Sequence, residues 1–448
     1  MNTQTKKILF AILLSLISFF TMVSFFSIAQ SFLISFIVLM VTLWTNEGLS
    51  MAIVSLLPLL LFPSANILTT KEVASNYAHP IIYLFFGGFL LAIAVEKTGL
   101  HKWISNKMLN LFPSSAQGII FALIFTSGLL SSILSNTTTT LLLLPIALFL
   151  TDNTRLKIRF VLGIAYGASI GGILTPIGTA PNLIFMGLIE EMHLEPVAFF
   201  QWIMMVSPLV FIMFIFVGLV LGYGLKNIKV EHSLSEHNLC QKQKKVLFLL
   251  IGLMILLFAN APIRPYYNGL GLSDSGILLG AGLLLFMPPF SILEWKADKD
   301  KIPFEIMFLF GAGFSIAMAF THTGMAKELA SHLVSLASMP TIIFMIIVAT
   351  MITFTTEITS NTALISIMLP IIYEVAHTAG LDMRLFMMIA TVCASYAFML
   401  PIATPPNAIA MSSGVIKVRT MASFGIIFNF IGIIMIVITA QLFWSNIL

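Results

Sequence analysis

The sequence predicts an all-α polytopic membrane protein built as an inverted repeat, with about 11 transmembrane helices, two re-entrant hairpins and two broken helices. Three observations predict it. Of 448 residues, 59% are hydrophobic and 9% charged, with a mean hydropathy of +1.04, whereas a soluble domain carries about a quarter charged residues. Apolar stretches long enough to span a bilayer recur along the whole chain. A pattern of polar residues and prolines returns at a constant offset of 225 residues.

The elements follow in chain order. Residues 8–29 come after Lys6 and Lys7 as in a signal peptide, but no small-residue cleavage site precedes the next span. They read as an extra helix, segment 1–30, outside the repeat. The first repeat covers 31–224. Its stretches 31–46, 48–63 and 80–96 read as single spans. The stretch 117–150 is too long for one helix and is interrupted at Ser135-Asn136-Thr137 and Pro145, which predicts a re-entrant hairpin. The stretch 160–189 is interrupted at Thr175-Pro176-Ile177-Gly178-Thr179-Ala180-Pro181-Asn182, which predicts a broken helix. Such non-helical backbone is tolerated at membrane depth only where it lines a cavity or is buried in protein. The span 199–224 closes the repeat, and the polar segment 225–245, with five lysines, is a cytoplasmic linker. The second repeat, 246–448, holds spans 246–262, 274–290 and 303–320, a hairpin at 341–373, a broken helix at 384–414 and a last span at 420–444.

Charge fixes the orientation. Let both hairpins enter and leave on one side while the other eleven segments cross. Lys and Arg then fall inside at 18 positions and outside at four, Lys71, Arg264, Lys327 and Arg384. This positive-inside bias places the N-terminus in the cytoplasm and the C-terminus outside. His322, His332 and His377 then read as external, and the basic stretches 97–107 and 226–245 as interfacial arms.

Ser135-Asn136-Thr137 recurs as Ser360-Asn361-Thr362, Pro145 as Pro370, and the first break as Leu400-Pro401-Ile402-Ala403-Thr404-Pro405-Pro406-Asn407. Five crossings per repeat is an odd number, so the second copy is inverted, and the two tripeptides approach each other from opposite faces. Asn offers an amide oxygen to a cation and N–H donors to an anion, and Ser and Thr do both with one hydroxyl. A half-helix starting at each tripeptide presents free N–H groups to an anion, while carbonyls ending the preceding half-helix suit a hard cation. Isolated hydroxyls in such spans also serve as helix-packing contacts, and that alternative stays open for Ser131, Thr356 and Thr359. Glu357 is the one acidic residue inside either hairpin core. It reads either as a proton or sodium carrier or as a brace, with Ser132 at the matching position. No Lys or Arg lies in 117–150, 160–189, 341–373 or 385–416. A dianion entering this site therefore needs bound cations for charge balance, which favours a symporter over an exchanger. The composition excludes a nucleic-acid-binding domain. The absence of a Walker loop and of an intramembrane catalytic set argues against an ATP-driven pump or an enzyme, and two opposed hairpins have no purpose in a channel.

The paired Ser-Asn-Thr hairpins and Thr-Pro-Ile-Gly-Thr-x-Pro-Asn breaks resemble the divalent anion/sodium symporter family over nearly the whole chain. Leu400 in place of Thr175, and Ala403 in place of Gly178, are its mild departures. The resemblance implies sodium-coupled import of C4-dicarboxylates (succinate, fumarate, malate) across the plasma membrane by a homodimer with an elevator-type movement. Citrate, tartrate or sulfate carriage, and proton coupling or exchange, remain alternatives. It implies sodium as coupling ion and no other cofactor, with membrane lipid around the protein. One sodium is expected at Ser131, Ser135, Asn136 and the Gly178 carbonyl, and a second at Thr356, Thr359, Asn361 and the Ala403 carbonyl. The substrate is expected at Ser135, Asn136, Thr137, Ser360, Asn361 and Thr362, with Thr179 and Thr404 as weaker contacts.

Overall fold

The computed structural model describes residues 2–226, 228–230, 238–262, 267–329, 331 and 339–447. Arg264, His332 and residues 231–237 of the expected linker lie outside them. Among the described residues the chain forms helices and no strand. Seven helical stretches there are long and apolar enough to cross a membrane: Thr3–Met22, Ile28–Asn46, Thr70–Thr98, Phe199–Gly222, Gln241–Asn260, Phe304–His322 and Val418–Leu442. The other expected spans are assembled from shorter pieces. The stretch 48–63 is two short helices, Met51–Ser55 and Pro58–Ser64, because Pro58 lacks the N–H that a continuous helix would use. The stretch 274–290 is helical only over Asp274–Leu284, ahead of Pro288 and Pro289.

The helices pack in two groups. In one, Pro80–Thr98 lies on Asp274–Leu284 and Gln241–Asn260, Thr3–Met22 on Ile28–Asn46, and Phe304–His322 on Met51–Ser55 and Thr70–Asn76. A Cβ on Gly87 would come within 2.3 Å of the Leu278 carbonyl oxygen, so the closest crossing of this group depends on glycine. Lys97 Nζ donates to Asp298 Oδ2 at 2.6 Å and ties the end of that helix to the segment before Phe304–His322. The expected interfacial arm at 97–107 is the helix Leu100–Leu111.

The second group holds both hairpins, both broken helices and the helices Phe199–Gly222 and Val418–Leu442. Apolar surface gains little by leaving lipid, so association here rests on close packing and hydrogen bonds. Trp202 Nε1 donates to the Ile173 carbonyl at 2.8 Å, and Trp444 Nε1 to the Met205 carbonyl at 2.8 Å. Tyr166 packs edge-on to Phe398 and Phe428 and donates to the Met421 carbonyl at 3.2 Å, joining the two halves of the chain. Where the groups meet, Phe304–His322 touches Ala180–Glu191 and Asn361–Thr378. His377 lies exposed in the last turn of the latter helix, stacked on Tyr373.

Candidate binding site at two helix tips

Each hairpin is two helices joined by a four-residue turn. Ala116–Ser131 and Asn136–Phe149 flank residues 132–135, and Thr341–Thr356 and Asn361–Thr378 flank residues 357–360. The turn is set by an N-cap serine, whose oxygen takes an otherwise unpaired helix N–H. Ser135 Oγ accepts from the Thr138 N–H at 3.1 Å, and Ser360 Oγ from the Ala363 N–H at 3.5 Å.

Across each turn a hydroxyl meets an amide. Ser131 Oγ donates to Asn136 Oδ1 at 2.6 Å. At the same offset, Thr356 Oγ1 lies 2.6 Å from Asn361 Oδ1 and 3.0 Å from the Ala394 carbonyl oxygen. Ser131 and Thr356 are fully buried, while Asn136 and Asn361 are half-buried.

Both broken helices are as interrupted as their prolines require. Thr154–Gly171 and Ala180–Glu191 are separated by residues 172–179, which include a short 3-10 turn at Pro176–Gly178. Met383–Ala394 and Pro405–Ser412 are separated by 395–404. One asparagine spans each break. Asn182 Nδ2 donates to the Thr175 carbonyl at 2.9 Å. Asn407 Nδ2 donates to the Ala397 and Leu400 carbonyls at 2.9 and 3.0 Å.

Tips and breaks meet. A Cβ on Gly172 would lie 2.5 Å from Asn136 Oδ1, and one on Gly178 would lie 2.3 Å from the Gly172 carbonyl oxygen. Ser131, Asn136 and Gly178 are thus brought together through Gly172. Ser135, Gly178 and Thr179 also share the wall of a cavity of about 60 Å³ beneath Gly88 and Phe89, far smaller than the roughly 300 Å³ at which ligand pockets begin. At the second tip, Ala403 donates its N–H to the Leu400 carbonyl at 3.2 Å. Thr356 meets the Ala394 carbonyl at the edge of the break, and the adjoining Glu357 accepts from Leu400 within it. Thr359 turns its hydroxyl back to the Thr355 carbonyl at 2.9 Å. Thr404 Oγ1 caps its helix by accepting the Asn407 N–H at 3.4 Å, whereas Thr179 makes no such cap bond. Thr137 and Thr362 are half-buried, and the Thr362 carbonyl accepts from Ser366 Oγ at 2.9 Å.

Glu357 is buried at 3% exposure. Its Oε1 accepts from the Met399 N–H at 2.9 Å and from Asn429 Nδ2 at 2.6 Å, and its Oε2 from the Leu400 N–H at 3.0 Å. Sequence reasoning missed Asn429. The available signal was an asparagine in the middle of the apolar run 420–444, where an amide needs a partner.

A citrate transporter family profile matches residues 36–385. The sodium-dependent dicarboxylate transporter SdcS of Staphylococcus saprophyticus is 29% identical over 430 residues, covering 89% of this chain and 83% of that protein. SdcS of Staphylococcus aureus strain NCTC 8325 is 31% identical over 430 residues, covering 89% and 82%. Two solved structures share the fold at 14% identity. The Alcanivorax borkumensis YdaH transporter has a TM-score of 0.65 and covers 93% of this chain and 98% of its own. Neisseria gonorrhoeae MtrF, described with a class of antimetabolite efflux pumps, has 0.63 and covers 93% and 94%.

Proposed function

The chain belongs to the divalent anion/sodium symporter family, and on that premise we propose a sodium-coupled symporter that imports the C4-dicarboxylates succinate, fumarate and malate. The observation that carries this reading is the pair of hydroxyl–amide contacts, Ser131 with Asn136 and Thr356 with Asn361, each at 2.6 Å. Oxygen-rich tips suit a hard cation. The neighbouring helix N-termini, with Ser135, Thr137, Ser360 and Thr362, suit carboxylates. No fixed cation in these segments balances a dianion, so sodium carries the balancing charge. Substrate and ion then raise each other's affinity by the same factor. A dianion alone crosses at high cost, whereas two sodium ions bring the load to neutrality.

We place the membrane crossing in the second helix group, moving as one body against the first in an elevator-type movement. Bending single tips would leave backbone groups unpaired in the membrane. The exposed apolar faces at Leu60, Phe248 and Ile255 suit lipid and a second copy, as the scaffold of a homodimer. The reading places the protein in the plasma membrane with its N-terminus inside. Uptake of labelled succinate into proteoliposomes tests it. Replacing sodium by choline is expected to abolish uptake. Uptake that survives replacement and follows a pH gradient would refute sodium coupling.

A further inference from the structure

We infer that Glu357 is the positioning residue of the second cation site, replacing a brace that the first half builds from Thr175 and Ser132. The inference rests on the sodium sites proposed above. In the first half, Thr175 Oγ1 donates to the Ser132 carbonyl and ties the broken helix to the hairpin turn. At the offset of 225, these positions are Leu400 and Glu357. Leucine has no hydroxyl to donate, so that tie cannot form. The break still donates and the hairpin turn still accepts, but backbone and side chain trade roles: the N–H groups of Met399 and Leu400 donate to the two oxygens of Glu357.

The two breaks need this tie to different degrees. In the first, the Ile173 and Leu174 N–H groups donate back into their own helix, to the Ile170 and Gly171 carbonyls at 3.3 and 3.0 Å. In the second, three consecutive N–H groups depend on side chains. Phe398 donates to Asn429 Oδ1 at 3.3 Å, and Met399 and Leu400 donate to Glu357. Asn429 in turn donates to Glu357 and is itself fully buried. Glu357 follows Thr356 directly, and the Leu400 carbonyl holds the Ala403 N–H. Fixing residues 399 and 400 therefore sets how far the Ala403 carbonyl stands from Thr356 and Asn361. Glutamine would fail there, because one of its two acceptors becomes an NH₂ group facing other donors.

The test is sodium-dependent succinate uptake in proteoliposomes. Glu357→Gln is expected to raise the half-saturating sodium concentration about tenfold, the scale of one lost buried hydrogen bond, with substrate KM at saturating sodium unchanged. Thr175→Val removes the brace of the first half and is expected to shift sodium in the same direction. Glu357→Ser should lose sodium affinity, and adding Leu400→Thr should recover part of it by rebuilding the first half's geometry. If Glu357→Gln does not fold, Thr175→Val and the serine–threonine pair carry the test. Wild-type sodium dependence in the Glu357 variants, no recovery in the double variant, or equal losses for sodium and substrate would each overturn the inference. Sodium-independent uptake by the unaltered protein would instead refute the sodium sites themselves.

Discussion

In the first half of the chain, Gly171 lies so close to Gly128 that a Cβ would come within 2.2 Å of its Cα, and Gly167 meets the Ile124 carbonyl oxygen at 2.7 Å in the same sense. In the second half the matching positions are Tyr396, Thr353 and Val392. The small residues there have moved to the last helix. A Cβ on Gly432 would meet the Tyr396 ring at 2.4 Å, and one on Gly425 the Phe398 carbonyl oxygen at 2.2 Å. Close approach is retained while the partner that supplies it changes. Ser-Asn-Thr stands at both tips although the packing behind them differs, so the polar tips and that packing answer to different constraints.

The largest expected effect tests that asymmetry directly. Gly171→Leu sets a side chain against backbone that cannot yield and should cost at least about 3 kcal/mol, the upper range for overpacking, seen as loss of a monodisperse peak in detergent. Tyr396→Phe should change stability by less than about 1 kcal/mol, since among the described residues the buried Tyr396 hydroxyl has no hydrogen-bond partner to lose. A folded, stable Gly171→Leu would show that the first half is not packed backbone to backbone.

Next come the tips. Asn136→Ala and Asn361→Ala are each expected to weaken sodium-dependent succinate binding by at least about tenfold, or 1.4 kcal/mol, in folded protein. Calorimetric titration with and without sodium reads this, and normal affinity in either variant breaks the equivalence of the two tips. A third comparison concerns exposure. A Cβ on Gly88 would lie 3.2 Å from Ile177 Cδ1, so Ile177 is packed against that helix, whereas its counterpart Ile402 is 76% exposed. In a Cys240→Ser background, Ile402→Cys should react with a water-soluble maleimide far faster than Ile177→Cys, with buried Cys393 silent. Equal rates would mean that both tips are equally open. The smallest effect is expected at Lys97→Ala. The Lys97 side chain is 32% exposed, and Asp298, though only 6% exposed, keeps the Glu294 N–H as a partner, so losing the pair should cost about 1 kcal/mol in a thermal melt.

Much of this was legible in the sequence because it is local. The stretch 117–150, read as a hairpin, holds the helices Ala116–Ser131 and Asn136–Phe149, and the stretch 384–414, read as a broken helix, holds Met383–Ala394 and Pro405–Ser412. Prolines, caps and the constant offset mark these features within a few residues. The first broken helix starts six residues before its apolar run, at Thr154, because Asn153 Oδ1 accepts the Arg155 N–H at 2.9 Å. Hydropathy alone passes over the first two turns, which carry Arg155, Lys157 and Arg159. Other features had no local mark. Leu400 in place of Thr175 reads as a mild departure until Glu357 and Asn429, 72 residues apart, are seen to take over the lost tie. Which glycine faces which backbone is likewise decided by helix pairing, which spacing along the chain does not encode.

The asparagines that span the two breaks have a mechanical consequence. A segment of unwound backbone is usually the compliant part of a helix. Here Asn182 and Asn407 pin carbonyls of the unwound segment from the first turn of the helix that follows it, and each break becomes a welded joint rather than a hinge. Strain applied to either half-helix is passed on to its neighbour instead of being absorbed between them. At the edge of the unit, the connectors turn at Gly224 and Gly324, whose φ angles of 73° and 72° belong to the region that glycine enters without strain. For the elevator-type movement proposed above, a unit braced at both breaks suits displacement without deformation.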